Sequence, residues 1–220
     1  MQIKQLQYNV LHFSDFKSAH IPEIFEEIYL QNIYFPYLSH RTDAIVFDIG
    51  FNIGLFSLYA SPHAKQVYSF EPSKELYDVA VLNMKENNVP NVKTFQKAIA
   101  PEDGKTTFYH STNKTMFSLN PAINDNKETE EVETIRLDTF CKQEKIEHID
   151  FMKLDIEGTE SKIFTSESFK NIVPMLDCMV YEWHQWDGSN PSVINHGLFE
   201  YGFKRIAQLP SKATVFACSK

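Results

Sequence analysis

A short apolar run, Ala44 to Val46, leads straight into FDIGFNIG (Phe47 to Gly54), and another apolar-rich stretch, Leu55 to Ala60, follows at once. Glycine and asparagine tolerate positive φ and let another group approach the main chain closely, so the three pieces read as strand, tight turn and helix. The same rhythm recurs down the chain. Gln66 to Phe70 reads as a strand, Ser73 to Asn87 as a helix capped by Ser73, and Val92 to Ala98 as a third strand. Ile149 to Leu154 is a buried strand, Thr159 to Thr165 a helix, Asp177 to Trp183 a strand, and Ser192 to Tyr201 a helix stopped by Gly202. Such alternation predicts an α/β, Rossmann-like fold: a mostly parallel sheet with helices on both faces.

Several local expectations complete this reading. Lys105 to His110 should pair with the third strand across the Asp103-Gly104 turn, and Ser111 to Glu131 should form a polar surface loop. Val132 to Leu137 returns to strand character, with Asp138 capping a short helix. Phe203 to Gln208 and Thr214 to Cys218 read as a closing hairpin that adds one antiparallel edge strand. At the other end Met1 to Phe13 has no clear period, whereas Ile21 to Leu30 reads as a helix with Pro22 in its first turn. Residues 1–43 are taken as a helical preface and candidate lid, and residues 44–220 as the main domain.

At 220 residues with 43% hydrophobic side chains, one sizeable core is expected rather than two domains. With 18 Phe, that core should be filled by rings. A net charge of −8 and the lack of any Lys/Arg cluster argue against nucleic acid and anionic membrane as partners. Cys141, Cys178 and Cys218 are odd in number and widely separated, which fits a reduced setting. No apolar run reaches the ~18 residues needed to span a bilayer, so a cytoplasmic location is expected.

In sheets of this kind ligands bind beyond the carboxyl ends of the strands, most often at the first strand-to-helix turn. Gly50 and Gly54 let the main chain pass close to a ligand there, and the N–H groups of the following helix favour a negative charge. Glu71, at the end of the second strand, is placed to accept hydrogen bonds from both hydroxyls of a ribose. A dinucleotide would ask for G-x-G-x-x-G, but Asn52 stands where the second glycine belongs. S-adenosyl-L-methionine fits better: Asp48 and carbonyl or amide groups, Asn52 among them, would meet its ammonium, and the N–H groups its carboxylate.

With these stretches in view, the chain resembles the FkbM-type methyltransferases, which use S-adenosyl-L-methionine. The resemblance rests on Val46 to Ala60, Tyr68 to Met84, IRLDTF with Ile149 to Phe164, and the YEWH run at Tyr181 to His184. Its most specific part is close to K-x-D-x-E-G-x-E, matched by Lys153, Asp155, Glu157, Gly158 and Glu160; Phe51 departs from the usual small alanine. The resemblance implies a class I methyltransferase fold and O-methylation, often of sugars or other hydroxylated molecules, so a small-molecule or glycan acceptor is expected.

Methyl transfer to a hydroxyl needs the reactants held at ~3 to 3.5 Å and in line, and a group that takes the proton. Asp155 and Glu157 follow one strand and Glu182 and His184 another, each pair spaced so that in extended chain both members face the same way. Asp155 or His184 is the expected base, Glu182 an accompanying acid, and Lys153 the partner that keeps Asp155 ionised. Asp155 also borders the cofactor. Glu157 and Trp183 are candidates for substrate contact, with packing the competing role for Trp183 and Trp186, and the helix dipole the competing role for Glu157. Two such pairs are not a recognised ligand spacing, and no metal is assigned. A nicotinamide-dependent oxidoreductase lacks support, since no Tyr-x-x-x-Lys pair occurs; a non-catalytic cofactor-fold protein is the remaining alternative.

Overall fold

The computed structural model describes residues 21–113, 116–123, 125, 127–185, 188–211 and 213–220. Met1 to Phe13 and Trp186 therefore lie outside the described residues. The strands, in chain order, are β1 (Ala44–Ile49), β2 (Ala64–Phe70), β3 (Val92–Phe95), β4 (Ala98–Ile99), β5 (Gly104–Tyr109), β6 (Thr129–Ile135), β7 (Ile149–Leu154), β8 (Leu176–Trp183), β9 (Arg205–Gln208) and β10 (Thr214–Ser219). The helices are α1 (Ile21–Phe25), α2 (Phe35–Leu38), α3 (Leu55–Ala60), α4 (Lys74–Glu86), α5 (Leu137–Glu144), α6 (Glu160–Thr165), α7 (Glu167–Ile172) and α8 (Pro191–Glu200). A π-helical turn, Glu26–Gln31, continues α1.

Seven strands form one sheet in the order β3-β2-β1-β7-β8-β10-β9. β3, β2, β1, β7 and β8 pair in parallel, while β10 runs antiparallel to both β8 and β9. The chain moves outward from β1 through β2 to β3 and then returns to lay β7 against the other side of β1. That reversal opens a crevice at the carboxyl ends of β1 and β7, where α/β sheets bind their ligands.

Side-chain alternation sorts the core onto the two faces. Ala44 and Val46 of β1 join one buried cluster, with Phe56, Val67 and Phe151; Phe47 and Ile49 join the other, with Phe140, Met152 and Leu154. Rings fill the second cluster as the phenylalanine content predicts. Phe140 meets Phe70 edge-on at 4.7 Å and Phe95 at 4.9 Å, and it also meets Phe47 and Tyr68. Phe140→Ala would leave a cavity at the centre of this group and should cost ~3–5 kcal/mol. Urea unfolding would check this, and a loss below ~1 kcal/mol would mean that the rings do not pack as one body.

Several local expectations are corrected. β5 pairs with β6 rather than with β3, because β3 ends at Phe95 and the chain leaves the main sheet to build a three-stranded sheet, β4-β6-β5. The closing hairpin does not add its antiparallel strand at the edge: β10 is interior and β9 takes the edge. Asp138 lies inside the first turn of α5, where it binds Arg136, and the N-cap position falls on Arg136. The polar segment after Ser111 is not wholly a surface loop. Phe117, Ser118 and Ile123 are buried, and the Ser118 and Asn120 side chains donate to the Ile156 and Gly158 carbonyls at 3.3 and 3.0 Å.

The helix expected from Ile21 is present, but its second half widens into the π turn, closed by Asn32 N–H donating to the Glu27 carbonyl at 3.0 Å. Tyr29 Oη donates to the Leu55 carbonyl, and Ile28, Ile33, Tyr34 and Leu38 are buried in the same cluster as β1. This segment is thus fastened over α3, next to the crevice.

Candidate functional site

Three residues of the first turn take left-handed backbone: Gly50 (φ +88°), Asn52 (φ +51°) and Gly54 (φ +90°). At Gly50 a Cβ would stand 1.7 Å from the Asp155 carbonyl oxygen, so the close approach of β1 and β7 admits no side chain. Asparagine is among the few other residues that accept this conformation, which accounts for Asn52. Its backbone N–H donates to Glu71 Oε2 at 2.8 Å, and Ser73 N–H donates to Oε1 at 3.0 Å. Glu71 is buried, and burial pushes its pKa up to about 7 against those two hydrogen bonds and Lys153. Phe51, the departure from the family's alanine, packs with Leu58, Ala80 and Met84, where α4 covers the turn.

Behind the turn, Asp48 is fully buried and accepts a 2.6 Å hydrogen bond from Ser57 Oγ. Burial raises it to about 6, partly offset by Lys153 and Ser57. Lys153 donates to the Gly50 carbonyl at 3.2 Å and to Asp155 Oδ2 at 3.1 Å, with Asp48 Oδ1 at 3.9 Å. Burial disfavours its charge, but the Asp155 and Asp48 carboxylates prevail and raise its pKa. Lys153 is therefore a fixed cation that ties β7 to the glycine turn, and Asp155 is held below the usual carboxylate range, burial being outweighed by Lys153 and His184.

At the ends of β7 and β8, four side chains meet. His184 Nδ1 lies 2.8 Å from Glu160 Oε1, while Nε2 lies 3.2 Å from Glu157 Oε2 and 3.3 Å from Glu182 Oε1. Glu160 is fully buried and also accepts from the Ile156 and Gly158 backbone N–H groups. With donors on every side, its carboxylate fixes the proton on Nδ1. Burial works against charge on His184, yet the hydrogen bonds to Glu160 and Glu182 and the nearby Glu157 hold its pKa up to about 12. Burial, reinforced by Asp155, pushes Glu182 up to about 7; burial also raises Glu157 well above its ordinary value.

Glu157 adopts φ +57°, costly for a residue with a Cβ, and turns its carboxylate towards His184. It stands before α6 rather than in its first turn, so the helix-dipole role fails for it. Two cavities flank this constellation. A small one of about 50 Å³ is bordered by Glu71, Pro72, Ile99, Phe117 and Leu119. A larger one of about 230 Å³ is bordered by Glu27, Tyr34, Lys153, Glu182 and His184. Gly50, Asn52, Asp155 and Glu157 belong to both walls, so the two adjoin as the arms of one trough.

Gly50, Asn52, Asp155, Glu157, Glu182, His184 and Lys153 thus converge on the larger cavity, and Glu71 on the smaller. Asp48, behind the turn, and Gly54, at its end, border neither cavity. Trp183 does not border the trough: its ring packs against the second core cluster and Nε1 donates to Ser189 Oγ at 3.0 Å, so packing wins there. Sequence reasoning left out Glu160 as a site residue, although it completes the K-x-D-x-E-G-x-E run. It also left out Glu27, which reaches the cavity from the π turn and accepts a hydrogen bond from Ser211.

A family model described as Methyltransferase FkbM domain matches residues 48–206. The chain belongs to the FkbM methyltransferase domain family. Among curated relatives of this FkbM chain, Methyltransferase 1 of Beauveria bassiana is 28% identical over 161 residues, 64% of either chain. The 2-O-methyltransferase NoeI of Sinorhizobium fredii is 28% identical over 146 residues, 57% of this chain and 58% of that protein. The chain thus spans less than two thirds of the length of either relative. Solved structures share its class I methyltransferase fold. The precorrin-6y C5,15-methyltransferase of Geobacter metallireducens superposes with a TM-score of 0.58 at 14% identity, covering 97% of this chain and 100% of that one. A Streptococcus mutans methyltransferase in complex with SAH gives 0.51 at 13% identity, over 86% and 97%. An rRNA methylase from Streptococcus thermophilus gives 0.53 at 10% identity, over 88% and 95%. Proteins named for such different acceptors on one fold leave the acceptor to be argued from the site.

Proposed function

We propose that this FkbM domain transfers a methyl group from S-adenosyl-L-methionine to a hydroxyl of a small molecule or glycan. The observation that carries this reading is the pair of adjoining cavities: a narrow arm beside a buried glutamate shares the glycine turn with a wider chamber lined by a histidine and five carboxylates. The narrow arm suits the nucleoside, with its ribose on Glu71 and its base among Ile99, Phe117 and Leu119. The Gly50–Gly54 turn suits the amino acid end, with Asp48 and Lys153 holding the turn rather than touching it.

The methyl group then faces the wider chamber, where the acceptor hydroxyl enters. Its proton passes to Glu182, a carboxylate of the wider chamber that burial raises to about 7, near the value that suits a base at neutral pH. The oxygen attacks the methyl carbon, the carbon–sulfur bond breaks, and its electron pair stays on sulfur to give S-adenosylhomocysteine. Carboxylates around the chamber repel phosphates, which favours an uncharged hydroxylated acceptor over nucleic acid. The name of the relative NoeI, a 2-O-methyltransferase, points the same way.

Incubation with S-adenosyl-L-methionine and pooled hydroxylated metabolites and glycans, read by mass spectrometry, should yield a product heavier by CH₂ together with S-adenosylhomocysteine. A methylated base or amine in its place would overturn the acceptor class.

Glu71 also makes cofactor binding depend on pH. Its folded value, about 7, lies above the ordinary 4.5, so it favours the fold most below 4.5 and that contribution is lost as pH rises through 7. Ribose hydroxyls donate to the ionised form. Affinity should therefore climb with pH up to about 7 and then level off, with proton release below it. Calorimetry in buffers of different ionisation enthalpy would read that proton, and Glu71→Gln should abolish it.

A further inference from the structure

We infer that Asp155, Glu157 and His184 bind a divalent cation at the floor of the wider chamber, with Glu182 beside it and Glu160 as the residue that positions the imidazole. The inference deepens the proposed reaction and rests on that reading for its purpose, though not for its geometry.

One ligand atom from each of Asp155, Glu157 and His184 lies within 4.8 Å of the others. The Nε2 to Glu157 Oε2 and Nε2 to Glu182 Oε1 separations are 3.2 and 3.3 Å. Two donors each ~2.1 Å from one metal stand roughly 3.0 Å apart at octahedral angles and about 3.4 Å at tetrahedral ones. The side chains are thus already spaced as neighbouring ligands. Asp155 adds a second, independent sign: one carboxylate oxygen is held by Lys153, and the other, Oδ1, is buried without a hydrogen-bond partner among the described residues. A buried carboxylate oxygen without a donor is costly, and a cation would satisfy it.

The surroundings of His184 match what metal-bound histidines need. A ligating imidazole donates its other N–H to a carboxylate or carbonyl, which fixes the tautomer and aims the ring. Glu160 does this from a fully buried position on two backbone N–H groups, with Nε2 facing the acids. Charge balance agrees. Glu23, Glu27 and Glu182 line the chamber beside Asp155 and Glu157, against Lys153 alone once His184 ligates as a neutral imidazole, and the methyl donor brings one net positive charge.

Carboxylates with a single imidazole suit Mn²⁺ or Mg²⁺ and, less selectively, Zn²⁺. Beside the acceptor oxygen such a cation would polarise the hydroxyl and ease proton loss to Glu182, with no redox change. The other cluster of this kind among the described residues, His148, Asp150 and Asp177, sits at the opposite end of β7 and β8. There Asp150 is already taken by Arg41 and the Ile45 backbone N–H, and His148 is exposed.

The test uses Mn²⁺ alone on chelator-treated protein, reading the free-ion signal by electron paramagnetic resonance, with S-adenosyl-L-methionine affinity measured separately on the same sample. One Mn²⁺ should bind per chain, displaceable by Mg²⁺ or Zn²⁺. His184→Ala should weaken it by at least tenfold, and Glu160→Ala by ~10–100-fold through loss of ring orientation. Should either variant fail to fold, Glu157→Gln, whose carboxyl is partly exposed, should still weaken Mn²⁺ by at least tenfold. Protein that binds the cofactor but none of the three cations overturns the cation site and leaves the proposed reaction standing. Cation binding undiminished in His184→Ala and Glu157→Gln also overturns it. Cation binding without cofactor binding would instead overturn the reaction.

Discussion

Glu71→Ala is expected to weaken S-adenosyl-L-methionine binding by about tenfold to several hundredfold with the fold intact. The reasoning starts from the carboxylate itself. Its two oxygens already accept from Asn52 N–H and Ser73 N–H, yet each has a second lone pair able to receive a ribose hydroxyl. A hydrogen bond to a charged group is worth ~1.5–3 kcal/mol, and each ~1.4 kcal/mol is tenfold in the dissociation constant. One such bond at its weakest therefore gives about tenfold, and both at their weakest give somewhat over a hundredfold, with stronger bonds taking the loss higher. The alanine also removes the acceptor that holds Asn52 in its left-handed conformation, so the glycine turn should loosen. Glu71→Gln separates the two effects, since its one remaining carbonyl oxygen can keep the Asn52 contact. Calorimetric titration would measure both variants, with far-UV circular dichroism as the control for folding. An unchanged dissociation constant in Glu71→Ala would remove the ribose assignment altogether.

The second large effect is expected at Glu182. Glu182→Gln keeps the shape of the side chain and removes its ability to take a proton, so turnover should fall by ~10²–10⁴-fold. Cofactor affinity should change little, because Glu182 borders only the wider chamber and Glu71 only the narrow arm. A drop confined to turnover at constant cofactor affinity marks an interaction made in the transition state. Single-turnover methylation with a pre-bound donor would read the chemical step directly. If the variant turned over within threefold of the unsubstituted protein, the proton would have to leave by another group.

Much of the framework was legible because it depends on local rules. Strand, glycine turn and helix follow from Phe47 to Gly54, and the sites of Gly50 and Asn52 from the φ values that only a few residues accept. The Glu71 position follows from the end of β2. The chemistry at β7 and β8 was half legible. Each i, i+2 pair could be seen, but the contact of Glu157 with His184 depends on a left-handed Glu157 and on which strands are neighbours, and neither is written in spacing alone. Glu160 was hidden by its ordinary appearance, since an acid in the first turn of a helix usually faces water and the dipole. Here it faces inward because Gly158 turns the chain and two backbone amides need an acceptor. β10 and β5 were misplaced for a related reason: alternation predicts a strand and its buried face, whereas partner choice depends on edges left open by the rest of the sheet. Trp183 shows the converse, an aromatic next to the site whose ring belongs to the core.

The π turn at Glu26–Gln31 carries a consequence for how the chamber could be altered. A π turn holds one residue more than an α turn, so removing a single residue would let the helix close regularly. The flanking turns would keep their phase, because the wide turn is what takes up the extra residue. Only the stretch from Glu26 to Gln31 would be redrawn, Glu27 with it, while β1, β7 and β8 stayed as they are. Acceptor preference would thus be adjustable from the rim, independently of the residues that perform the transfer.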